Sequence, residues 1–420
     1  MSPLLGTPSR TGAPGVRAQR TRQPEELPNI SHVQAFVKVA ECGGIAPASK
    51  ELCLSPSSIS RSIQQLEKYL SVPLLERHPR GSFLSSYGKQ ILPRAQSAIK
   101  ELNAIPRMKT DDRKGIIDSL EHLLNTRRLQ MFINLCERRH MPSVAVELGI
   151  SQPAISLGVG ILESGVGGIL FERSAVGLVP TGRALGMELS CRRALNELRF
   201  IPAEVAALHG SVQGVVTIGV IPLGRHLILP DAIAEVTARH VGIRIVTRED
   251  PFERLLSGLR ASDIDFIFAP LLSKDQVGHL HCETLFEEDV ALLVGRGNAF
   301  LRKRTSLKDL ASARWILPPK DAPARVLLNS EFINAGIRPP APVVESCDLA
   351  IIRGLLTRTE MVAALLSHQI PYEIEEGEIR RLPIQLPDAV SRMGLYCRAE
   401  SRPSPAARLL MDAIRLIAKR

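Results

Sequence analysis

Residues 48–67 of this chain read ASKELCLSPSSISRSIQQLE, and residues 144–163 repeat the same frame as VAVELGISQPAISLGVGILE. The correspondence extends over 32–77 and 128–173 at a constant offset of 96 residues. Positions of the first copy that are identical in the second are Gln34, Phe36, Glu51, Leu52, Ser55, Ile59, Ser60, Leu66, Glu67, Leu74, Glu76 and Arg77. A repeat at a fixed offset is typical of one folding unit that occurs twice. The chain is therefore predicted to hold two equivalent domains ahead of its C-terminal half.

The first copy has the pattern of a helix-turn-helix. Apolar residues at helical spacing over 33–40 predict a first helix that ends near Gly43, and a second helix is expected to begin near Ile45. Ser55 has the position of an N-cap, and Pro56 that of the first residue of a third helix. In the third helix the side chains expected to face the core are Ile59, Ile63, Leu66 and Leu70.

The outward face of the third helix is the candidate DNA-reading surface. Hydroxyls, an arginine and a glutamine lie where a recognition helix contacts base edges and phosphates. The basic, turn-prone segment RHPRGS at 77–82 is typical of a wing that lies on the DNA backbone. The residues predicted to contact DNA are Ser55, Pro56, Ser57, Ser60, Arg61, Gln64, Arg77 and Arg80.

These residues resemble the LysR-type transcriptional regulators. The signature of that family is carried by 48–67, by VPLLER at 72–77 and by LSSYG at 84–88. The resemblance continues to the C-terminus. It implies double-stranded promoter DNA and a small-molecule effector as partners, and a homodimer or homotetramer as the assembly. The usual architecture of the family has a single winged helix-turn-helix, so the second copy is a departure from it.

The second copy keeps the helical frame but loses the charge of the reading face. Leu157 stands where the first copy has Arg61, glycines follow at 158 and 160, and the wing at 174–179 is read as shorter and uncharged. Each interior glycine costs a helix about 0.5–1 kcal/mol relative to alanine. We expect this copy to be mainly structural, packed on the first copy or on a neighbouring subunit. In the alternative, the second copy makes a secondary contact with DNA through Gln152, Ser156 and Arg173.

A helical segment follows each copy. Residues 89–105 are predicted to form a helix interrupted at Pro93, and residues 182–208 a longer helix with a kink at Pro202. The apolar residues at roughly helical spacing in the longer helix are Leu185, Leu189, Leu195, Leu198, Val205 and Leu208. By the family resemblance this helix joins two subunits, in preference to packing within its own chain.

From Gly214 onward strands and helices alternate, which predicts an α/β unit with mainly parallel sheets. The family resemblance implies two lobes, like those of a periplasmic binding protein, with the effector between them. Strand ends and helix N-termini bind small anions, so an organic anion or a sugar is expected, with Arg225 or Arg325 either on the anion or in a surface ion pair. The candidate effector residues are Pro222, Leu223, Gly224, Arg225, Ala269, Pro270, Pro319, Lys320 and Arg325.

The charge of the chain is unevenly distributed along its 420 residues. Residues 1–210 hold 26 Lys and Arg against 18 Asp and Glu, and residues 211–420 hold 27 against 25. A basic front half favours a polyanionic partner for that half. Charge kept for solubility is the alternative, and the repeat argues against it.

The cysteine content and the apolar runs bear on location. Seven scattered cysteines without a Cys-x-x-Cys pair indicate a reducing compartment. No apolar run approaches the roughly 18 residues of a membrane span. Residues 1–28 are predicted to be a disordered basic arm, which either contacts DNA phosphates or is a free tail. We expect a cytoplasmic protein without membrane contact.

The alternatives to a DNA-binding regulator are a metal-dependent enzyme and a scaffold or protein-interaction module. An enzyme is disfavoured because the chain has no phosphate loop, no Gly-x-Ser-x-Gly and no His-Glu-x-x-His, so no catalytic residue, cofactor or metal is expected. His279, His281 and Cys282 resemble a metal cluster, but they lack a partner pair at suitable spacing and predict a strand edge. A scaffold or protein-interaction module with silent readers is opposed by the arginines of the first copy.

The predicted fold is multidomain: two mainly helical winged helix-turn-helix domains, linker helices and a two-lobed α/β effector-binding domain. By residue number it comprises an arm at 1–28, the first winged helix-turn-helix at 29–88, a helical linker at 89–126, the degenerate second copy at 127–182, a linker helix at 183–210 and the effector-binding domain at 211–420, with lobes at about 211–296 plus the C-terminal return and at 297–372.

Overall fold

The computed structural model describes residues 27–78, 81–105, 121–174, 177–221, 228–272, 277–278, 280–369, 374, 376–399 and 401–419. Most of the predicted basic arm, together with Arg80, the turn 222–225 and His279, lies outside these ranges. Within them, the N-terminal half is helical and the C-terminal half alternates strands with helices.

The first copy folds as three helices and a β-hairpin. The elements are α1 (Ile30–Cys42), α2 (Ile45–Glu51), α3 (Pro56–Leu70), β1 (Leu75–His78) and β2 (Gly81–Leu84). Gly43, at φ 73°, ends α1 in the left-handed region that glycine tolerates, which confirms the predicted break. The hydroxyl of Ser55 accepts a hydrogen bond from the Ser58 backbone N–H at 3.1 Å, and the predicted N-cap is confirmed. The predicted core positions of α3 are all buried.

The second copy repeats the same elements. They are α5 (Thr126–Arg138), α6 (Met141–Leu148), α7 (Gln152–Val166), β3 (Phe171–Ser174) and β4 (Gly177–Pro180). The pairing of Phe171 with Pro180 reproduces that of Leu75 with Leu84 at the repeat offset. The expectation of a shorter wing was therefore wrong, because the strands of the two hairpins are of equal length.

The linker helices α4 (Ser86–Ala104) and α8 (Gly182–Leu208) are both continuous. The predicted interruption at Pro93 was wrong, since α4 runs through the proline, and α8 likewise runs through Pro202. A proline removes one backbone hydrogen bond, and packing on a second helix can retain the helix despite that loss. Of the predicted stripe residues of α8, Leu195, Leu198 and Val205 are buried, whereas Leu185 and Leu208 are exposed. The buried face also includes Ala184, Met187, Cys191, Ala194 and Ile201.

The two linker helices pack against each other within one chain. Gln90 contacts Glu204, Arg94 lies over the ring of Phe200, and Glu101 faces Arg193. Residue numbers rise along α4 while those of the partners fall along α8, so the helices are antiparallel. The alternative of packing within the same chain is thus present in this structure, because α4 supplies α8 with an apolar partner helix. The contact of α8 with another subunit stays a prediction.

The C-terminal half forms one continuous mixed sheet covered by helices. Its strands are β5 (Gly214–Val220), β6 (Ile243–Glu249), β7 (Phe266–Pro270), β8 (Leu280–Gly295), β9 (Trp315–Leu317), β10 (Pro342–Glu345), β11 (Val362–Leu366), β12 (Ile379–Arg381) and β13 (Val390–Arg398). Its helices are α9 (Ile228–Arg239), α10 (Phe252–Ala261), α11 (Pro323–Asn334), α12 (Leu349–Leu356) and α13 (Pro405–Ile417).

The long strand β8 is common to both lobes of this half. Its first part pairs with β13 in the lobe that holds β5, β6 and β7, and its last residues pair with β11 and β12 in the other lobe. Parallel pairs form within each lobe, whereas β8 and β13 run antiparallel to their partners. The expectation of mainly parallel sheets was wrong for this reason.

Within the described ranges no single helix combines the length and the apolar composition of a membrane span. The bent pair α6 and α7, whose axes differ by 105°, reaches that composition only when the two are taken together.

Candidate nucleic-acid interface

The reading face of the first copy is exposed and carries an available guanidinium. Ser57, Arg61 and Gln64 are exposed on α3, and Ser60 is half-buried. Arg61 is exposed and forms no ion pair or hydrogen bond with another described residue, so its donors are available to a ligand. The hydroxyl of Ser55 is within 2.9 Å of the Ser57 hydroxyl and caps α3, so this residue positions the helix.

The wing of the first copy is held against α3 by a carboxylate. Oε1 of Glu67 accepts hydrogen bonds from the backbone N–H groups of Leu74 and Leu75 at 2.8 and 3.2 Å. Arg77 lies in β1, paired with Ser82 of β2, and the predicted contact Arg80 lies outside the described residues. In the second copy, Glu163 accepts the equivalent bonds from Leu170 and Phe171. The identity of this glutamate in both copies was visible in the sequence, but its role as an anchor was not predicted.

The equivalent face of the second copy is exposed but apolar. Its candidate contacts Gln152, Ser156 and Arg173 are all exposed. Leu157, at the position of Arg61, is 68% exposed. The glycine-rich side of α7 packs within its own copy at Gly158, which faces the Met131 side chain of α5, and a Cβ at Gly160 would meet open space.

A buried arginine joins both linker helices to the C-terminal half. Arg94 of α4 is 1% exposed, and it donates to Oε1 of Glu204 at 2.8 Å and to Oε2 of Glu197 at 3.0 Å, both on α8. Its Nη1 and Nη2 also donate to the carbonyl oxygens of Arg402 and Pro403, directly before α13. This junction was not predicted, because no spacing rule relates residues 94, 197 and 402.

Burial and charge act in opposition on the two glutamates of this junction. Burial raises the pKa of Glu197, although Arg94 and Arg398 act against the shift. Burial acts in the same direction on Glu204, but Arg94, Gln90 and Arg408 together hold its pKa below the usual value. The junction is therefore a charged cluster whose members depend on one another.

The candidate effector residues of the described chain lie in both lobes. Ala269 and Pro270 end β7 and are buried, and the carbonyl oxygen of Pro270 accepts a hydrogen bond from the Tyr396 hydroxyl at 2.7 Å. After β9, Pro319 is half-buried and Lys320 is exposed.

Arg325 is buried rather than part of a surface ion pair. It is 5% exposed, and its Nη1 donates to the Pro318 carbonyl oxygen at 3.1 Å. Its Nε has no hydrogen-bond partner among the described residues, and the same holds for Oδ1 of Asn329, one turn further along α11. The alternative of a surface ion pair was therefore wrong. Arg325 differs from a surface arginine because it is buried while its Nε has no hydrogen-bond partner among the described residues. The sequence did not show this.

The metal-like cluster of the sequence forms part of a strand. His281 and Cys282 lie in β8, paired with Cys397 and Tyr396 of β13. The part of the chain that the structure describes contains no group of three His, Cys, Asp or Glu side chains placed to hold a metal ion.

Comparison with known proteins identifies the family. Residues 30–89 and 126–185 both match the family described as bacterial regulatory helix-turn-helix protein, lysR family, and residues 209–416 match the LysR substrate binding domain. The HTH-type transcriptional regulator GalR of Pseudomonas putida is 44% identical over 392 residues, which cover 93% of this chain and 98% of that protein. The chain belongs to the LysR family. It is a DNA-binding transcriptional regulator with a substrate-binding domain, and the prediction that it is not an enzyme is confirmed by these relatives.

Other members of the LysR family match a smaller part of this regulator. PcaQ of Agrobacterium fabrum is 26% identical over 309 residues, which cover 96% of that protein but 70% of this chain. A full-length OxyR from Pseudomonas aeruginosa has the same fold, with a TM-score of 0.54 at 22% identity, over 95% of that chain and 70% of this one. This LysR-family regulator therefore holds sequence that these relatives lack, whereas GalR is matched over almost its whole length.

Proposed function

We propose that this LysR-family regulator recognises promoter DNA through α3 and the wing of the first copy. The observation that carries the proposal is the exposed face of α3, with Arg61 available between Ser57 and Gln64. A guanidinium in this position binds a guanine edge in two hydrogen bonds or neutralises a phosphate. The second copy is then a degenerate winged helix-turn-helix. A regulator of this kind acts where the DNA is, in the cytoplasm, as a homodimer or homotetramer.

The test compares Arg61→Ala with Arg254→Ala on a duplex identified by genome-wide mapping of the bound fragments. Arg254 is exposed in the C-terminal half and serves as the matched loss of one positive charge. Loss of a base contact should weaken specific binding by about 1–3 kcal/mol, and the control should bind as the parent does. Equal affinity of the Arg61 variant and the control, with both folded, would remove α3 as the reader.

We infer that the C-terminal half binds a small organic anion or a sugar between its lobes, with Arg325 facing the ligand. A buried guanidinium with an unpaired Nε has a donor to offer an anion. Binding to the native state raises the free energy of unfolding by about 2.7 kcal/mol at a hundredfold excess over the dissociation constant, and so raises the melting temperature. A thermal-shift screen of the full chain with organic acids and sugars tests this, with Arg325→Gln expected to lose the shift and the surface variant Lys303→Gln to keep it.

A further inference from the structure

The two copies meet through equivalent residues. The backbone N–H of Ile30 donates to Oγ1 of Thr126 at 3.1 Å, and that hydroxyl donates to the Pro28 carbonyl oxygen at 3.0 Å. Ile30 and Thr126 begin α1 and α5 and are 96 residues apart, which is the offset of the repeat. In a two-fold arrangement, residues on the axis contact their own equivalents. The copies are therefore arranged as two subunits of a symmetric dimer would be.

The linker helices α4 and α8 also contact each other at equivalent positions of the repeat. Their antiparallel contacts, Gln90 with Glu204 and Glu101 with Arg193, set Ile99 opposite Leu195, which is again the pair of equivalent positions. Ile99 and Leu195 are 8% and 6% exposed and belong to one hydrophobic core that contains both copies and both linker helices. The first copy has in addition a small separate cluster formed by Ala35, Val39, Ala48, Ile59 and Ile63, whereas the buried apolar residues of the second copy belong to the shared core.

The second copy lacks three cations of the first copy at exposed positions, although it carries Arg138 and Arg139 where the first copy has Cys42 and Gly43. Val146, Leu157 and Leu185 are 85%, 68% and 52% exposed, so packing does not require apolar side chains there. The residues of the first copy at these positions are Lys50, Arg61 and Lys89. The contacts that join the copies are retained, whereas three positive charges on one copy are absent from the other.

We propose that one chain assembles a complete two-reader unit, in which the second copy takes the place of a second subunit and presents an uncharged reader beside the charged one. This inference rests on the proposed role of α3 in DNA binding. It follows that the faces of α4 and α8 that join the copies are occupied within the chain. It follows also that α7 lies against the same duplex as α3 without neutralising its phosphates.

The first test asks whether the copies pair within a chain. Ser31→Cys and Arg127→Cys replace the equivalent residues that directly follow Ile30 and Thr126. Treated with a bismaleimide, the full-length double variant should form a cross-link between positions 31 and 127 that leaves the chain monomeric on a denaturing gel. The two single variants, co-expressed as chains with different tags, should form no such cross-link, as read by peptide mass spectrometry. A cross-link between positions 31 and 127 of differently tagged chains would overturn the proposal.

The second test restores a charge to the uncharged reader. Leu157→Arg places a guanidinium at the equivalent of Arg61, and Val241→Arg, at a residue 96% exposed in the C-terminal half, is the matched control. On a random-sequence duplex, the Leu157 variant should bind more tightly, and its salt dependence should steepen by about 0.9 in the logarithmic slope for one added phosphate contact. The control should retain the parent slope. A Leu157 variant with the parent slope would show that α7 does not lie at DNA and would overturn the proposal.

The Arg61→Ala variant on the same duplex separates the two proposals. Suppose that Arg61→Ala makes the salt dependence shallower and that Leu157→Arg binds no more tightly than the parent. This result rejects the two-reader unit but retains the role of α3 in DNA binding. An unchanged salt slope for Arg61→Ala on the random duplex, together with unchanged affinity for the mapped operator, rejects the role of α3 itself.

Discussion

Nε of Arg94 and Oε1 of Glu204 lie 2.8 Å apart, although the two residues are 110 positions apart in the chain. The bond joins the linker helix of the first copy to that of the second. Because the same guanidinium also binds the backbone before α13, one side chain connects the linker helices of both copies with the C-terminal half. A shift of either linker helix must therefore break or move bonds to the other two parts.

Removal of this guanidinium should destabilise the whole protein. Arg94→Met leaves Glu197 and Glu204 buried without their principal partner, and loss of one member of a buried charged cluster costs about 3–5 kcal/mol. Arg408→Ala is the control, because Arg408 binds the same Glu204 but its side chain is 42% exposed. Its removal should lower the free energy of unfolding by about 0–1 kcal/mol. Urea unfolding of the full chain measures both. An Arg94 variant that unfolds no more easily than the Arg408 variant would contradict the assignment of the cluster as structural.

Gly158 and Gly160 of α7 should respond differently to a methyl group. A Cβ at Gly160 meets open space, so Gly160→Ala should stabilise the protein by about 0.5–1 kcal/mol through lower backbone entropy in the unfolded chain. A Cβ at Gly158 would lie 2.8 Å from Cε of Met131, which must then move. Gly158→Ala should gain less or lose stability, as measured by thermal unfolding. An equal gain at both positions would show that Met131 adapts freely.

A carboxyl group of the effector-binding half makes stability depend on pH. Burial raises the pKa of Asp265 to about 6, against the hydrogen bond that its Oδ2 accepts from the Thr217 N–H at 2.7 Å. Since the folded pKa exceeds the unfolded value, the native state loses stability as the pH rises from about 4 to about 6 and stays lowered above that. Asp265→Asn should therefore raise the melting temperature more at pH 8 than at pH 4.5. If the melting temperatures of variant and parent differ by the same amount at both pH values, Asp265 is not the source of the pH-dependent stability.

The wing of the first copy should contribute affinity without sequence preference. Arg80→Ala should weaken binding to all duplexes alike and flatten the logarithmic salt dependence by about 0.9, because one phosphate contact is lost. Titrations of the mapped operator and of a random duplex at several salt concentrations measure this. Selective loss of operator binding would instead assign Arg80 to a base contact.

Local sequence determined the elements of both copies. The N-caps at Ser55 and Ser151, the glycine that ends α1 and the apolar spacing of α3 each act within a few residues, so they could be recognised without a structure. The constant offset of the repeat, together with the lost charge at Leu157, likewise predicted one charged and one uncharged reading face.

Tertiary structure decided what these elements pack against. Leu185 and Leu208 looked like part of an apolar stripe, but the buried face of α8 is set by α4, whose position depends on the second copy folding onto the first. The mixed sheet depends on β8 and β13 pairing across a long separation in the chain, and no periodicity encodes strand direction. Arg94 and Arg325 differ from surface arginines only in burial. Apolar spacing and caps act between neighbours in sequence, whereas the free energy of burying a helix face or a charge depends on which distant segment covers it.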